Sequence, residues 1–301
     1  MDALTANTFT EHRQYLFALA YRMTGSAADA EDLVQETWLR WQRAGQEEIR
    51  VPRAFLTTVI TRLAIQHLES ARVRREEYVG PWLPEPMVTA EQRDSAELSE
   101  SLTMAFLVLL ESLSPVERAV FLLHEIFDYS HAETALLVGK TETACRQLLS
   151  RAKRALRDRK SERRPKYEAR PAAAKQLSDA LSHAMQGGDL ASLMTLLDEQ
   201  VIVYSDGGGL RRAAINPIRG PERAARFLIG VARKTSDGLN RYATEINAQC
   251  GLLGFRKGEV ESALVIDTAE GRVRAVYIVV NPEKLRHLPE ERNFHDPRIP
   301  S

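Results

Sequence analysis

From Ser114 to Leu156 the chain reads SPVERAVFLLHEIFDYSHAETALLVGKTETACRQLLSRAKRAL, and no other stretch so limits the folds open to it. Ser114 stands three residues ahead of Glu117 with Pro115 next to it, the pattern of a capping box with proline at the first helical position. Ser130 and Glu133 repeat the box. In each, the serine oxygen takes an unpaired amide of the first turn and the glutamate accepts from the cap's own amide, so both helices have defined beginnings. The turn VGKT follows, where Gly139 suits a backbone reversal that penalises a side chain, and Thr141 caps a last helix. Two short helices, a glycine turn and a basic helix describe a helix-turn-helix.

In that last helix Ala144, Leu148, Leu149, Ala152 and Leu156 fall at the spacing of a packing face, which leaves Glu142, Thr143, Arg146, Gln147, Ser150 and Arg151 outward. Outward residues at the start of such a helix enter the major groove, where Arg matches guanine and Gln matches adenine. Arg151, Lys153, Arg154 and Arg157 lie further along and suit phosphates, which strengthen binding without reading sequence. A solvated surface helix would also be charged. The two capped helices and the glycine turn ahead of it favour DNA.

Charge is unevenly spread. The 41 basic and 41 acidic residues cancel, yet RAKRALRDRKSERRPK is strongly basic and DAEDLVQE, from Asp29 to Glu36, is acidic. Asp29, Asp32 and Glu36 recur three and four apart on one helical face beside Glu31 and Gln35, with Leu33 and Trp38 on the packing side. A row of carboxylates repels DNA and suits a basic protein surface; the other reading is a solvated helix start favoured by the dipole. The two cysteines, Cys145 and Cys250, lack metal or redox spacing, so no disulfide, metal or cofactor is expected. The N-terminus has no signal-peptide pattern, and MAFLVLL is far short of the roughly 20 residues that span a bilayer, so a soluble, cytoplasmic protein without membrane contact is expected.

At 301 residues the chain suits two or three domains. Its first part reads as three amphipathic helices: one with Phe9, Leu16, Leu19 and Ala20 buried and ending at Gly25, one capped by Ser26, and one led by Pro52 with Phe55, Val59, Leu63 and Leu68 inward. A helix over AELSESLTMAFLVLLESL precedes the helix-turn-helix. Beyond the basic, proline-punctuated stretch, helices at QLSDALSHAM, LASLMTLLD and PERAARFLIGVAR alternate with strands at VIVYS, AQCGLLGFR, VESALVID and RVRAVYIVV, with turns at Lys257-Gly258 and Glu270-Gly271. That order predicts an α+β domain whose sheet curls around a cavity. Between the helical parts lies GPWLPEPMVT, too rich in proline for a helix interior.

The segments DAEDLVQETWLRW, PRAFLTTVITRLAIQHL and the helix-turn-helix, in this order, resemble a bacterial RNA polymerase sigma factor of the extracytoplasmic-function group of the sigma-70 family. The resemblance covers about half of the chain; AIQHL departs from the family's frequent Asp-x-Leu pattern. WLPEP, DGGGL and NPEKL resemble the SigJ-like subgroup with a fused C-terminal SnoaL-like (NTF2-like) domain. The resemblance implies a sigma-two domain over 1–76, a linker over 77–95, a sigma-four domain over 96–158, a basic linker over 159–174, the fused regulatory domain over 175–290 and a tail over 291–301. It thus implies two all-α domains followed by an α+β cone. The implied partners are core RNA polymerase, gripped by Asp29, Asp32, Gln35 and Glu36, and promoter DNA. Thr141, Glu142, Thr143, Arg146, Gln147, Ser150, Arg151 and Arg154 would serve the minus-thirty-five element. Arg43, Arg50 and Arg53, in RAGQEEIRVPRAF, would serve the minus-ten element, where a strand is opened and read. In this group the linker threads through the polymerase.

A mechanism follows from the stiffness of the proline rod, which loses little further entropy on docking. Trp82 is expected to anchor in the fused domain, with Leu83, Pro84, Glu85 and Pro86 beside it. Asp206, Gly207, Gly208 and Gly209 of DGGGL and Asn281, Pro282, Glu283, Lys284 and Leu285 of NPEKL would meet it. The prolines could equally be a spacer. Two other classes stay open at this level: a one-component regulator whose tail binds a small molecule, and an isomerase-like enzyme using Asp206, His183, Tyr204 or Asp267. No spacing in the sequence brings a carboxylate to a histidine, so no catalytic residue is expected.

Overall fold

The computed structural model describes residues 3–44, 49–89, 101–162 and 171–294. The chain divides into two compact units: Met1–Glu77 with Leu107–Arg164, and Tyr78–Phe106 with Pro165–Ser301. The segment between the two helical parts therefore belongs with the C-terminal unit.

The first unit opens with helices α1 (Ala3–Thr24), α2 (Ala27–Arg43) and α3 (Pro52–Glu76). Gly25, at φ 68°, turns the chain, and Ser26 Oγ accepts the Asp29 amide at 3.0 Å to start α2. Phe9, Leu16, Leu19 and Ala20 are buried as their spacing predicts. On α3 the inward face differs from the expected one. Leu56, Ile60 and Ala64 are fully buried with Leu63 and Leu68, whereas Phe55 and Val59 are half-buried. This helix packs on α1 and α2 on one side and on the helix-turn-helix on another, so its buried surface is wider than one stripe.

Helix α4 (Met104–Leu110) follows Thr103, whose Oγ1 accepts the Phe106 amide at 3.3 Å. The expected helical start at 96–100 lies outside the described residues. Helix α5 (Pro115–Phe121) runs into a π turn over Leu122–Ile126, then α6 (His131–Val138) and α7 (Glu142–Glu162). Both capping boxes form, Gly139 is left-handed at φ 68°, and Thr141 Oγ1 accepts the Ala144 amide at 3.2 Å. Residues read as the start of the basic linker extend α7 to Glu162, since Arg, Lys and Glu are good helix formers; 163–170 lie outside the described residues.

The second unit contains helices α8 (Pro171–Gly187), α9 (Leu190–Leu196) and α10 (Pro221–Lys234). Its strands are β1 (Leu197–Asp206), β2 (Ile218–Arg219), β3 (Asn240–Ile246), β4 (Gln249–Arg256), β5 (Glu259–Ala269) and β6 (Arg272–Val279). They form one sheet in the order β2-β1-β6-β5-β4-β3, with β1 and β6 parallel and the other pairs antiparallel. Strand β1 begins earlier than VIVYS, and β2 and β3 are additional. The sequence NRYATEI hides β3 because it lies at the sheet edge, where only Ile246 is buried. Lys257-Gly258 and Glu270-Gly271 turn with positive φ at both positions, as does the unforeseen pair Asn247-Ala248.

Side chains alternate across this sheet. Val201 and Val203 of β1, with Val276 and Ile278 of β6, join Leu181, Leu193, Leu228 and other helical residues in the core. Ile202, Tyr204 and Asp206 must then point to the opposite face, where Tyr204 stacks on Tyr277 at 5.4 Å. That alternation delivers a carboxylate to the face away from the helices.

Candidate nucleic-acid interface and linker clasp

On α7 the outward set is exposed as the spacing predicts, whereas Ala144 and Leu148 of the expected packing face are only half-buried and Cys145 takes a buried place instead. Leu149, Ala152, Leu156 and Cys145 are buried, and Thr141, Glu142, Thr143, Arg146, Gln147, Ser150, Arg151 and Arg154 are exposed. Glu142 pairs with Arg146 at 2.5 Å, Arg151 with Glu117 at 3.4 Å, and Lys153 with Glu125 at 2.8 Å. The last two pairs tie the middle of α7 to α5 and to the π turn that follows α5. Sequence reading missed Arg62. From α3 it donates to the Leu136 and Leu137 carbonyls, both at 3.2 Å, placing a cation at the end of α6 where the helix dipole favours one.

The acidic face of α2 is partly engaged within the chain. Asp29 pairs with His67 of AIQHL at 3.2 Å and Glu36 with Arg40 at 2.9 Å, while Asp32 and Gln35 are exposed. Leu33 is buried, and Trp38, half-buried, packs on Phe9 at 4.9 Å. Arg43 closes α2 and is exposed, as are Arg50 and Arg53; the Arg53 guanidinium lies 4.5 Å from the Tyr15 ring centroid. The 45–48 part of RAGQEEIRVPRAF lies outside the described residues.

In the second unit WLPEP, DGGGL and NPEKL converge on one group. Asp206 is 0% exposed, and its carboxylate accepts four hydrogen bonds. Oδ1 takes the Tyr78 hydroxyl at 2.6 Å and the Gly208 amide at 3.0 Å; Oδ2 takes the Leu83 amide at 2.9 Å and Lys284 Nζ at 2.7 Å. The same Nζ donates to the Leu83 carbonyl at 2.5 Å and lies 4.0 Å from the Trp82 ring centroid and 4.9 Å from that of Tyr78. The three prolines hold Leu83 extended, so its amide and carbonyl are free of any helix and both are read by the clasp. Burial, followed by the Asp206 carboxylate, raises the Tyr78 phenol well above its ordinary range.

The loop chemistry explains the glycines. Gly208 and Gly209 have φ 59° and 74°, and a Cβ at Gly208 would collide with the Asn281 side chain, at Gly207 with the Arg211 carbonyl. Asn281 donates to Tyr78 Oη at 2.9 Å and caps the short 3-10 helix Pro282–Leu285 by accepting the Glu283 amide at 3.0 Å. Lys284 and Leu285 are buried; Pro282 is half-buried and Glu283 exposed.

The apolar anchor is Leu83, 1% exposed, rather than Trp82, which is half-buried beneath the lysine. The shorter side chain enters the interior because the backbone on both its sides is pinned to Asp206 and Lys284. Pro84, Glu85 and Pro86 are buried too, and His287 contacts the Pro86 carbonyl at 2.8 Å and Glu85 at 3.6 Å. Tyr78 and His287 escaped sequence reading; a phenol three residues ahead of the first proline was the one visible signal. Of the residues weighed for acid-base chemistry, Asp206 bonds a lysine and His183 is exposed. Asp267 accepts from Gln249 at 3.3 Å. Among the described residues no group of three or more His, Cys, Asp or Glu could hold a metal ion, and no helix is long and apolar enough to cross a membrane.

Comparison with known proteins accords with this arrangement. The model of Sigma-70 region 2 matches residues 8–74 and that of Sigma-70, region 4 matches residues 103–156. The chain is 35% identical to the ECF RNA polymerase sigma factor SigJ of Mycobacterium tuberculosis, over 95% of each chain. It is 30% identical to the probable ECF RNA polymerase sigma factor SigI of that organism, over 93% of this chain and 94% of the relative. The crystal structure of M. tuberculosis SigJ superposes with a TM-score of 0.74 at 33% identity, covering 93% of this chain and 97% of that one. Likeness to SigJ over nearly the whole length extends past both sigma regions into the α+β unit. The chain therefore belongs to the extracytoplasmic-function RNA polymerase sigma factors of the sigma-70 family, in the SigJ-like branch with a fused C-terminal α+β domain.

Proposed function

We propose that this sigma factor regulates its own promoter recognition by clasping the segment between its two sigma regions onto its C-terminal domain. The observation that carries the reading is the Asp206 carboxylate. A buried carboxylate is tolerated only when paired and hydrogen-bonded, and here two of its four donors, Tyr78 and Leu83, come from that segment. Undocking strips Asp206 of both and Lys284 of the Leu83 carbonyl. Partial release is therefore costly, and the clasp has two discrete states whose balance a partner can shift.

In this reading Asp29, Asp32, Gln35 and Glu36 meet core polymerase, with Asp32 and Gln35 as the exposed centre of the face. Thr141, Glu142, Thr143, Arg146, Gln147 and Ser150 read the minus-thirty-five element, and Arg151 and Arg154 hold its phosphates. Arg43, Arg50 and Arg53 serve the minus-ten element. The C-terminal domain acts by binding rather than chemistry, since a lysine and backbone amides occupy the carboxylate an acid-base enzyme would need. The cytoplasm, where polymerase and promoter are found, is its place of action.

Run-off transcription with purified core polymerase tests this, comparing the full chain, a chain ending at Arg164, and a chain lacking everything from Asn281. Initiation at discrete promoters by the full chain, with output changed by either truncation, is expected. Truncations that transcribe as the full chain does would sink the regulatory role, and failure of every version to bind core would sink the residue assignments.

A further inference from the structure

The β3–β4 turn holds both arms of the same segment, on either side of residues 90–100, and it does so away from Asp206. On the near arm Val88 bridges antiparallel to Ile246, the Thr89 amide donates to the Glu245 carbonyl at 3.0 Å, and the Asn247 amide donates to the Met87 carbonyl at 2.8 Å. Asn247, 0% exposed, accepts the Met87 amide on Oδ1 at 3.0 Å. Its Nδ2 donates to the Leu102 carbonyl of the far arm at 3.1 Å. Two residues on, Gln249 accepts the Met104 amide on Oε1 at 2.8 Å, capping the start of α4, while its Nε2 donates to the Ile266 carbonyl and to Asp267, both at 3.3 Å.

The turn is strained where it does this. Asn247 and Ala248 have φ 52° and 55°, a region Asn visits readily and Ala does not. The strained Ala248 amide is aimed at Thr89 Oγ1, 2.9 Å away, and Thr89 Oγ1 in turn donates to Glu245 at 2.7 Å. A left-handed alanine kept at a contact point, rather than the glycine that would relax it, signals that the backbone is held by what it grips.

We infer that Asn247 and Gln249 are positioning residues of a second clasp, which grips the arm leading into the second sigma region independently of the Asp206 clasp. The inference rests on the proposed regulatory role of the segment. Its chemistry is that of an added β-strand on the near arm and a side-chain helix cap on the far one, with Asn247 bonded to both arms, so this grip releases separately from the one on Leu83.

Hydrogen exchange on the full-length protein tests it. Asn247→Gly removes the side chain while leaving a residue at ease at positive φ. The Met87 and Met104 amides then exchange roughly 5- to 30-fold faster, the factor for losing one or two net hydrogen bonds, while the Leu83 amide keeps its protection. Gln249→Leu, which leaves the turn intact, speeds Met104 alone, and Lys284→Met speeds Leu83 and not Met104. Unchanged exchange at both arms in Asn247→Gly, or equal loosening of Leu83 and Met104 in any of the three, overturns the second clasp. Run-off transcription separates this from the regulatory reading: the expected exchange pattern with unchanged transcripts in all three variants sinks that reading and leaves the clasp. Altered transcripts in Lys284→Met without the exchange pattern do the reverse.

Discussion

Replacing Lys284 by Met tests the central contact most directly. The side chains of Lys284 and Asp206 are 7% and 0% exposed, so solvent does not screen the charge left behind. Removing one member of such a buried pair costs about 3–5 kcal/mol. Asp206 keeps the Tyr78, Leu83 and Gly208 donors, which places the loss near the lower end, about 3 kcal/mol. Asp206→Asn strands the ammonium and costs about the same by the same reasoning. In the double variant Asp206→Asn/Lys284→Met neither charge is stranded, so its cost falls short of the sum of the singles by at least about 2 kcal/mol. Exchange of the Leu83 amide, followed in the full chain through sub-denaturing urea, reads the local free energy for each corner of the cycle. A single variant costing less than about 1 kcal/mol, or a double variant equal to the sum, would refute the buried pair as the source of the clasp's stability.

Gly208→Ala places a Cβ against the Asn281 side chain and the Tyr78 hydroxyl at φ 59°, whereas Gly209→Ala meets only Val79 at 3.4 Å. Thermal unfolding should show a loss of about 1–2 kcal/mol for Gly209→Ala from the left-handed backbone alone, and clearly more for Gly208→Ala; equal losses would contradict the packing argument. Burial raises the Asp267 carboxyl from 3.8 to about 6, so the folded state prefers it neutral. That preference costs nothing below pH 3.8, grows between 3.8 and 6, and is full above, where it reaches on the order of 3 kcal/mol. Asp267→Asn should accordingly stabilise the protein at pH 8 and not at pH 3.5 in denaturant titrations; a gain at both pH values is inconsistent with the titration. On the DNA side, Arg146→Ala should cost about 1–3 kcal/mol at one base pair of the minus-thirty-five element and relax its specificity, while Arg154→Ala should weaken all sites alike and reduce the salt slope by about 1. Binding titrations of holoenzyme on single-base promoter variants at several salt concentrations distinguish the two.

Local chemistry was legible in the residues themselves. Ser26, Ser114, Ser130 and Thr141 announce their helices because a cap is a contact between neighbours three residues apart, and Gly139 announces its turn because only the backbone is involved. The outward face of α7 follows from its period alone. The linker and both loop motifs also stood out, because proline fixes φ and glycine frees it wherever they occur. By itself the sequence thus determined the helix-turn-helix and the change from helices to an α+β part, and its resemblance picked out the motifs that meet in the clasp.

What it left open was decided by distance in the fold. Tyr78 and Asn281 lie 203 residues apart in the chain, and nothing local to either marks the partner. That Leu83, and not the larger Trp82, is the buried anchor depends on the backbone being pinned by Asp206 and Lys284. That Asp206 faces the segment at all depends on the alternation of β1, which one residue of register would reverse. The turn at Asn247-Ala248 hid because alanine seldom takes positive φ, a strain only tertiary contacts can sustain. Local propensities are written in neighbouring residues, but the pairing of a carboxylate with a distant amide exists only once the sheet has brought them together.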